Sequence, residues 1–117
     1  MRPAKRQIVW VSNKDLGIDR PGGHSCVVTR VNRKSRTARV KTITSLEHYS
    51  GGKRYWDDHS LNQARKGELL PIPKDALRSH HYSGIDHRAK TVRWVDIRQN
   101  TKSYRYPMRY DKLIMRK

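Results

Sequence analysis

The apolar positions of this chain fall in short, β-branched runs rather than in long helical stripes. Ile8-Val9-Trp10-Val11 is the first run, closed by the turn-forming cluster Ser12-Asn13-Lys14-Asp15, and it predicts a strand. Residues 16–23 follow as a polar loop, in which Arg20-Pro21-Gly22-Gly23 disfavours regular structure and admits positive φ. Residues 26–31 and 37–43 predict two strands joined by the polar turn Asn32-Arg33-Lys34-Ser35-Arg36, the clearest hairpin in the sequence. On its second strand Ala38 and Val40 alternate with Arg39 and Lys41. A period of two puts those cations on the face opposite the apolar pair, so one face of the hairpin is expected to be basic.

Beyond residue 46 the pattern weakens. Residues 47–66 are mostly polar, with Gly51-Gly52 and Asp57-Asp58-His59, and their one helix-like stretch is 60–66, with Ser60 or Asp58 as its cap. Leu69-Leu70-Pro71-Ile72-Pro73 is apolar but twice interrupted by proline, which suits an edge strand or extended segment. Residues 75–81 predict a short helix closed by Ser83-Gly84. Residues 91–97 predict a strand in which Trp94-Val95 breaks the alternation, a sign of a bulge or of burial on both sides. Near the end, Tyr104, Tyr106, Met108 and Tyr110 alternate with Arg105 and Arg109. Short strands with Gly/Pro turns and almost no long helical pattern predict a mainly β fold, a small and strongly bent antiparallel sheet or barrel with one or two short helices.

Charge then narrows the partners. The 117 residues carry 27 Lys+Arg against 10 Asp+Glu, a formal +17, and are read as one small domain. Such an excess is self-repelling unless it meets phosphates or an acidic protein. Three Trp, six Tyr and the β-branched runs separate the chain from a disordered basic tail. No stretch reaches the roughly 18 apolar residues of a membrane span, and the basic residues at positions 2–6 precede too short an apolar run for a signal peptide. A cytoplasmic protein with no membrane partner is expected. Cys26 alone forms no intramolecular disulfide and supports no paired-cysteine zinc site; with Val27 and Val28 beside it, a buried hydrophobe is expected.

The unit from Arg20 to Ser45 carries the most specific pattern. Arg20-Pro21-Gly22-Gly23-His24-Ser25 leads into the apolar strand at Cys26, and after the polar turn comes Val40-Lys41-Thr42-Ile43-Thr44-Ser45. Over residues 6–45 this resembles the MazF/PemK family of toxin endoribonucleases, where a Gly-rich loop with an Arg-Pro pair enters an apolar strand and the next strand ends in Ile-Thr-Ser. The resemblance implies an SH3-like barrel, usually a homodimer. It implies metal-independent cleavage of single-stranded RNA by attack of a 2′-hydroxyl on the adjacent phosphate, and an acidic antitoxin protein that covers the basic groove. Thr44 matches the family's motif threonine directly, whereas extra residues separate Arg20 from the strand, and His24 takes the place of the family's arginine at the strand start. The catalytic expectation is therefore His24 as acid/base, Thr44 as hydroxyl partner and Arg20 as the group facing phosphate charge.

RNA contacts are expected from the hairpin cations Arg30, Arg33, Lys34, Arg36, Arg39 and Lys41, which no neighbouring carboxylate balances. Tyr104, Arg105, Tyr106 and Arg109 couple aromatic faces to guanidinium groups, the composition that stacks unpaired bases, although tyrosines at this spacing also suit the inward face of a closing strand. A non-catalytic RNA- or DNA-binding barrel of SH3-like or OB-like type is the alternative. A metal nuclease built on Asp57-Asp58-His59, His80-His81 and Asp86-His87 matches no nuclease motif, so no metal or other cofactor is expected. A protein that uses its charge to bind an acidic host protein without cutting is a further possibility.

Overall fold

The computed structural model describes residues 1–77, 82–100 and 104–115. In chain order its elements are β1 (Ile8–Ser12), α1 (Asn13–Leu16), β2 (Gly23–Asn32), β3 (Thr37–Ser45), β4 (Glu47–Ser50), β5 (Lys53–Trp56), α2 (Asp58–Arg65), β6 (Leu69–Ile72), β7 (Ser83–Asp86), β8 (Lys90–Arg93), β9 (Ile97–Gln99) and α3 (Asp111–Ile114). Single 3-10 turns lie at Trp94–Asp96 and Met108–Tyr110. The fold is mainly β, and every strand pair is antiparallel. Where the sequence reads as one domain, the contacts gather in two compact units: unit 1 is residues 1–42 with 88–106, and unit 2 is residues 43–87 with 107–117.

Unit 1 is an open ladder in the order β9-β1-β2-β3-β8, whose end strands do not pair with each other; it is not a closed barrel. Val9, Val11, Cys26, Val28, Ala38 and Val40 alternate onto one face and close the core with Leu16, Val92 and Ile97. Four of those valines are fully buried, each worth about 1.5–3 kcal/mol relative to an exposed side chain. The predicted hairpin forms as expected, with Arg36 at φ 51° in its turn.

Its register contains a step. The β2–β3 pairs run Cys26↔Thr42, Val27↔Lys41 and Val28↔Val40, then shift so that Arg30 faces Arg39 and Val31 faces Ala38. Thr29 is the inserted residue. Without this bulge Arg30 would stand opposite Ala38 on the core face; the extra residue turns Arg30 outward and lets Val31 pack against the core in its place.

Three sequence expectations change here. The polar cluster after β1 is not a plain turn: Ser12 caps one turn of helix, α1, accepting from the Asp15 amide, and Gly17 ends it at φ 72°. The break at Trp94-Val95 is a 3-10 turn separating β8 from β9, held by Trp94 Nε1 donating to the Thr37 carbonyl at 2.8 Å. Lys41 does lie opposite the apolar pair, but that face is covered as well: its partner Val27 is 0% exposed and Lys41 itself only 6%.

Unit 2 contains the ladder β6-β7 joined to the last three residues of β3, Ile43 to Ser45, and a separate β4–β5 hairpin. The hairpin was not anticipated. Its two-residue loop Gly51-Gly52 has φ 58° and 76°, the positive pair that a tight hairpin turn requires. α2 begins earlier than expected, capped by Asp57 accepting from the Ser60 amide. β6 is an edge strand as its prolines dictate. Residues 74–77 make a turn rather than the start of a regular helix, 78–81 lie outside the described residues, and Ser83-Gly84 opens β7 instead of closing a helix. Among the described residues no helix is long and apolar enough to cross a membrane.

Candidate nucleic-acid interface

His24 lies at the start of β2, opposite Val11, and is half-buried. Its Nδ1 is 2.6 Å from Asn13 Oδ1. The orientation of Asn13 follows from its other end, where Nδ2 donates to the Pro21 carbonyl at 3.1 Å, leaving only Oδ1 to meet the imidazole. Oδ1 can only accept, so Nδ1 carries the proton and Nε2 keeps its lone pair. The loop is fastened around this pair: Asn13 N donates to the Gly22 carbonyl and Ile18 N to the Asn13 carbonyl. Burial first, and then the positive charges of Arg20 and Lys90, push the His24 pKa below its ordinary value. A neutral imidazole with a fixed tautomer and a free Nε2 can take a proton near neutral pH. Arg20 itself is exposed on the loop, and Lys90 Nζ donates to the Leu16 carbonyl at 2.9 Å.

Cys26, two residues along, is not part of this chemistry. It is fully buried, and burial pushes its thiol pKa up to about 12, so no thiolate forms near neutral pH.

The second feature of unit 1 is a cleft of about 820 Å³ lined by Arg2, Lys5, Arg6, Arg30, Arg33 and Arg105 together with Pro3, Ala4, Thr29 and Val31. No carboxylate lines it among the described residues. The backbone explains why these distant residues meet. Arg6 N donates to the Val28 carbonyl and Val28 N to the Gln7 carbonyl, which fastens the N-terminal segment beside the β2 bulge. Arg6 takes φ 73° there. On the other side Tyr106 N donates to the Arg6 carbonyl, and Gln7 bridges Arg105. The bulge that turns Arg30 outward therefore supplies one wall of the cleft, and the N-terminal segment supplies the other.

The anticipated contact residues divide. Arg30, Arg33 and Arg105 come together in the cleft. Arg39 is exposed and, with Arg30, Asn32 and Thr91, borders a smaller cleft of about 340 Å³. Lys34 and Arg36 are exposed in the hairpin turn. Lys41 and Tyr106, at 6% and 2% exposure, are packed inside and present no face to a ligand. Tyr104 is half-buried, its carbonyl accepting from Ile8 N. Arg109 belongs to unit 2, where it lies 3.9 Å from Asp75. Thr44 also lies in unit 2, half-buried and paired with Gly84, beyond the last β2–β3 pair at Cys26↔Thr42.

The sequence reading missed Arg2, Lys5 and Arg6 as ligand contacts. Their one signal was density of cations, since the turn that brings them to β2 is made by a non-glycine residue at positive φ. The histidine clusters are committed elsewhere: Asp57 bonds His48 Nε2 at 2.8 Å and caps α2, and His87 Nδ1 lies 3.0 Å from the Glu68 carbonyl. His80 and His81 lie outside the described residues. Among those described, no three of His, Cys, Asp or Glu gather as a metal site.

Compared with protein-family models, with curated proteins and with solved structures, the chain matches none.

Proposed function

We propose that this chain binds nucleic acid, an RNA strand held by its phosphates in the cationic cleft of unit 1. The observation that carries this is the convergence of six lysines and arginines on one cleft with no carboxylate lining it among the described residues. Cations so placed repel one another, and the arrangement is favourable when a polyanion releases its counterions into solution on binding. Arginine forks also suit the planar, bidentate recognition of phosphate. Among the described residues no aromatic ring lines the cleft, so contact there is to the backbone and independent of sequence. Titrating labelled single-stranded RNA with the protein at several salt concentrations tests the reading. Six phosphate contacts to a single strand give a slope of log K against log salt near −4 at about −0.7 per phosphate. A slope near zero, or no binding at low salt, defeats it.

The geometry at His24 favours a second reading, that the bound strand is also cut. Nε2 of a neutral His24 would take the 2′-hydroxyl proton as that oxygen attacks the adjacent phosphorus; the P–O5′ bond would break to leave a 2′,3′-cyclic phosphate, the departing 5′-oxygen taking a proton from the imidazolium or from water, and Arg20 would face the charge that develops on the phosphorane. Six residues of strand separate His24 from Arg30, about 20 Å at ~3.3 Å per residue, so a strand held in the cleft has to extend along β2 to reach the imidazole. The partial likeness to MazF/PemK toxins supports this reading and adds an acidic antitoxin as competitor for the cleft. Incubation of single-stranded RNA in EDTA, with wild type beside His24→Gln, decides it: cleavage by the first and only binding by the second is the expected result.

A further inference from the structure

Unit 2 displays exposed aromatic rings, whereas those of unit 1 are buried or half-buried. Tyr55, Trp56 and Tyr82 are 50%, 48% and 40% exposed. Tyr55 and Trp56 are neighbours on β5, so their side chains leave opposite faces of the β4–β5 hairpin. Tyr55 rests against His48, ring centroids 5.5 Å apart; Trp56 meets Tyr82 at 5.6 Å with the planes tilted by 36°.

The Trp56 side has a built foundation. Glu47 lies opposite Trp56 in the ladder and is fully buried. The Tyr82 amide donates to its Oε1 at 3.1 Å, Lys74 Nζ is 3.6 Å from the same oxygen, and Arg54 Nε is 3.4 Å from Oε2. Lys74 also sits over the Tyr82 ring, 4.7 Å from its centroid. One hidden carboxylate thus fixes the backbone beneath one ring and two cations beside it. The nearby Asp57 is engaged by His48 and by the Ser60 amide. What the surface offers is a pair of half-exposed rings flanked by an ammonium and a guanidinium, with the balancing acid beneath them.

From this we infer that the Trp56–Tyr82 pair is a stacking platform for unpaired nucleobases, with Arg54 and Lys74 meeting the flanking phosphates. The inference rests on the reading of the chain as a nucleic-acid binder and adds that its ligand is single-stranded. Rings accept any base face, and cations beside them favour an anionic strand over a neutral apolar partner. Bases in a duplex are stacked on each other and cannot reach such a platform.

The test uses the full chain, a labelled U-rich single-stranded RNA, and the same RNA annealed to its complement, compared by fluorescence anisotropy. Trp56→Ala and Tyr82→Ala should each weaken single-strand binding about tenfold or more, as loss of one base–aromatic stack does, with duplex affinity and the salt slope unchanged. Trp56→Phe should restore most of the loss. Arg30→Ala/Arg33→Ala should instead weaken both ligands and flatten the salt slope. Single-strand binding unchanged in both Trp56→Ala and Tyr82→Ala overturns the platform and leaves the cleft standing. Equal losses on single strand and duplex overturn it as well. A wild-type chain that binds a polyglutamate peptide and neither RNA overturns platform and cleft together.

Discussion

The two units differ most in net charge and in where it gathers. Unit 1 carries seventeen lysines and arginines against three aspartates, a net +14; unit 2 carries ten against seven acids, a net +3. In unit 2 three cations meet carboxylates, Arg54 and Lys74 on Glu47 and Arg109 beside Asp75, as Arg93 does on Asp96 in unit 1. In unit 1 six cations line a cleft without a carboxylate among the described residues. The formal +17 of the whole chain is therefore an uneven quantity, and its excess sits almost wholly in the unit that holds the cleft. Net charge predicts a polyanionic partner; the clustering of the charge predicts where it would bind.

The half-buried histidines repeat the contrast. His48 in unit 2 faces the Asp57 carboxylate, whose pKa is held low by the Ser60 amide and then by that imidazole. His24 in unit 1 faces an amide and two cations. The second arrangement favours a neutral ring with a free nitrogen.

The largest effect expected is on catalysis, if the strand is cut: His24→Gln should slow RNA cleavage by about 10²–10⁴, the range for losing a general base, while binding stays within a factor of about two. Cleavage that survives in His24→Gln would remove the functional difference between the two histidines. Next comes affinity. Arg30→Ala/Arg33→Ala/Arg105→Ala should weaken RNA binding about a hundredfold or more at low salt, whereas the exposed unit 2 pair Lys66→Ala/Lys112→Ala should change it by less than about threefold. Similar losses from both sets would mean that net charge alone matters.

A packing comparison follows. A Cβ on Gly23 would lie 2.2 Å from the Trp10 ring and 2.7 Å from the Val11 carbonyl oxygen, so Gly23→Ala should destabilise unit 1 by about 1–3 kcal/mol in denaturant unfolding. At Gly84 in unit 2 the nearest atom is Leu69 Cβ at 3.1 Å, and Gly84→Ala should cost visibly less. The smallest effect is on pH. The folded pKa of His24 is lowered, so its contribution to stability is complete above the unfolded value near 6.5 and is lost as pH falls from there through the folded pKa. Thermal melts between pH 7 and 5 should show a decline that His24→Gln reduces.

The legible parts of this fold are those where one face is buried. Ile8 to Val11 and the hairpin from Cys26 to Ile43 announce themselves because alternation and β-branching report a half-buried strand. The β4–β5 hairpin does not, because Lys53, Arg54, Tyr55 and Trp56 are all exposed and no hydrophobic period marks them; the Gly51-Gly52 pair was the available sign. His24 was legible from its place at the head of β2, but its partner Asn13 was not, since the contact closes across a loop of irregular backbone. The cleft was half legible. Arg30 and Arg33 stand in the hairpin strip, while Arg2, Lys5 and Arg6 join them only through the Thr29 bulge and the turn at Arg6, neither of which carries a glycine or proline to signal it. Tyr106 alternates like a ligand-facing residue yet packs inside, because the chain after it turns into a 3-10 turn and α3 instead of continuing as a strand.

The central claim is that RNA is held by the clustered cations of the unit 1 cleft, and the salt dependence of binding tests it most directly. Measured by anisotropy on single-stranded RNA, the slope of log K against log salt should be near −4 from the six cleft contacts, steeper where Arg54 and Lys74 add theirs, and should flatten by about 2 in Arg30→Ala/Arg33→Ala/Arg105→Ala, each phosphate contact contributing about −0.7. A slope that the three substitutions leave unchanged would contradict the account.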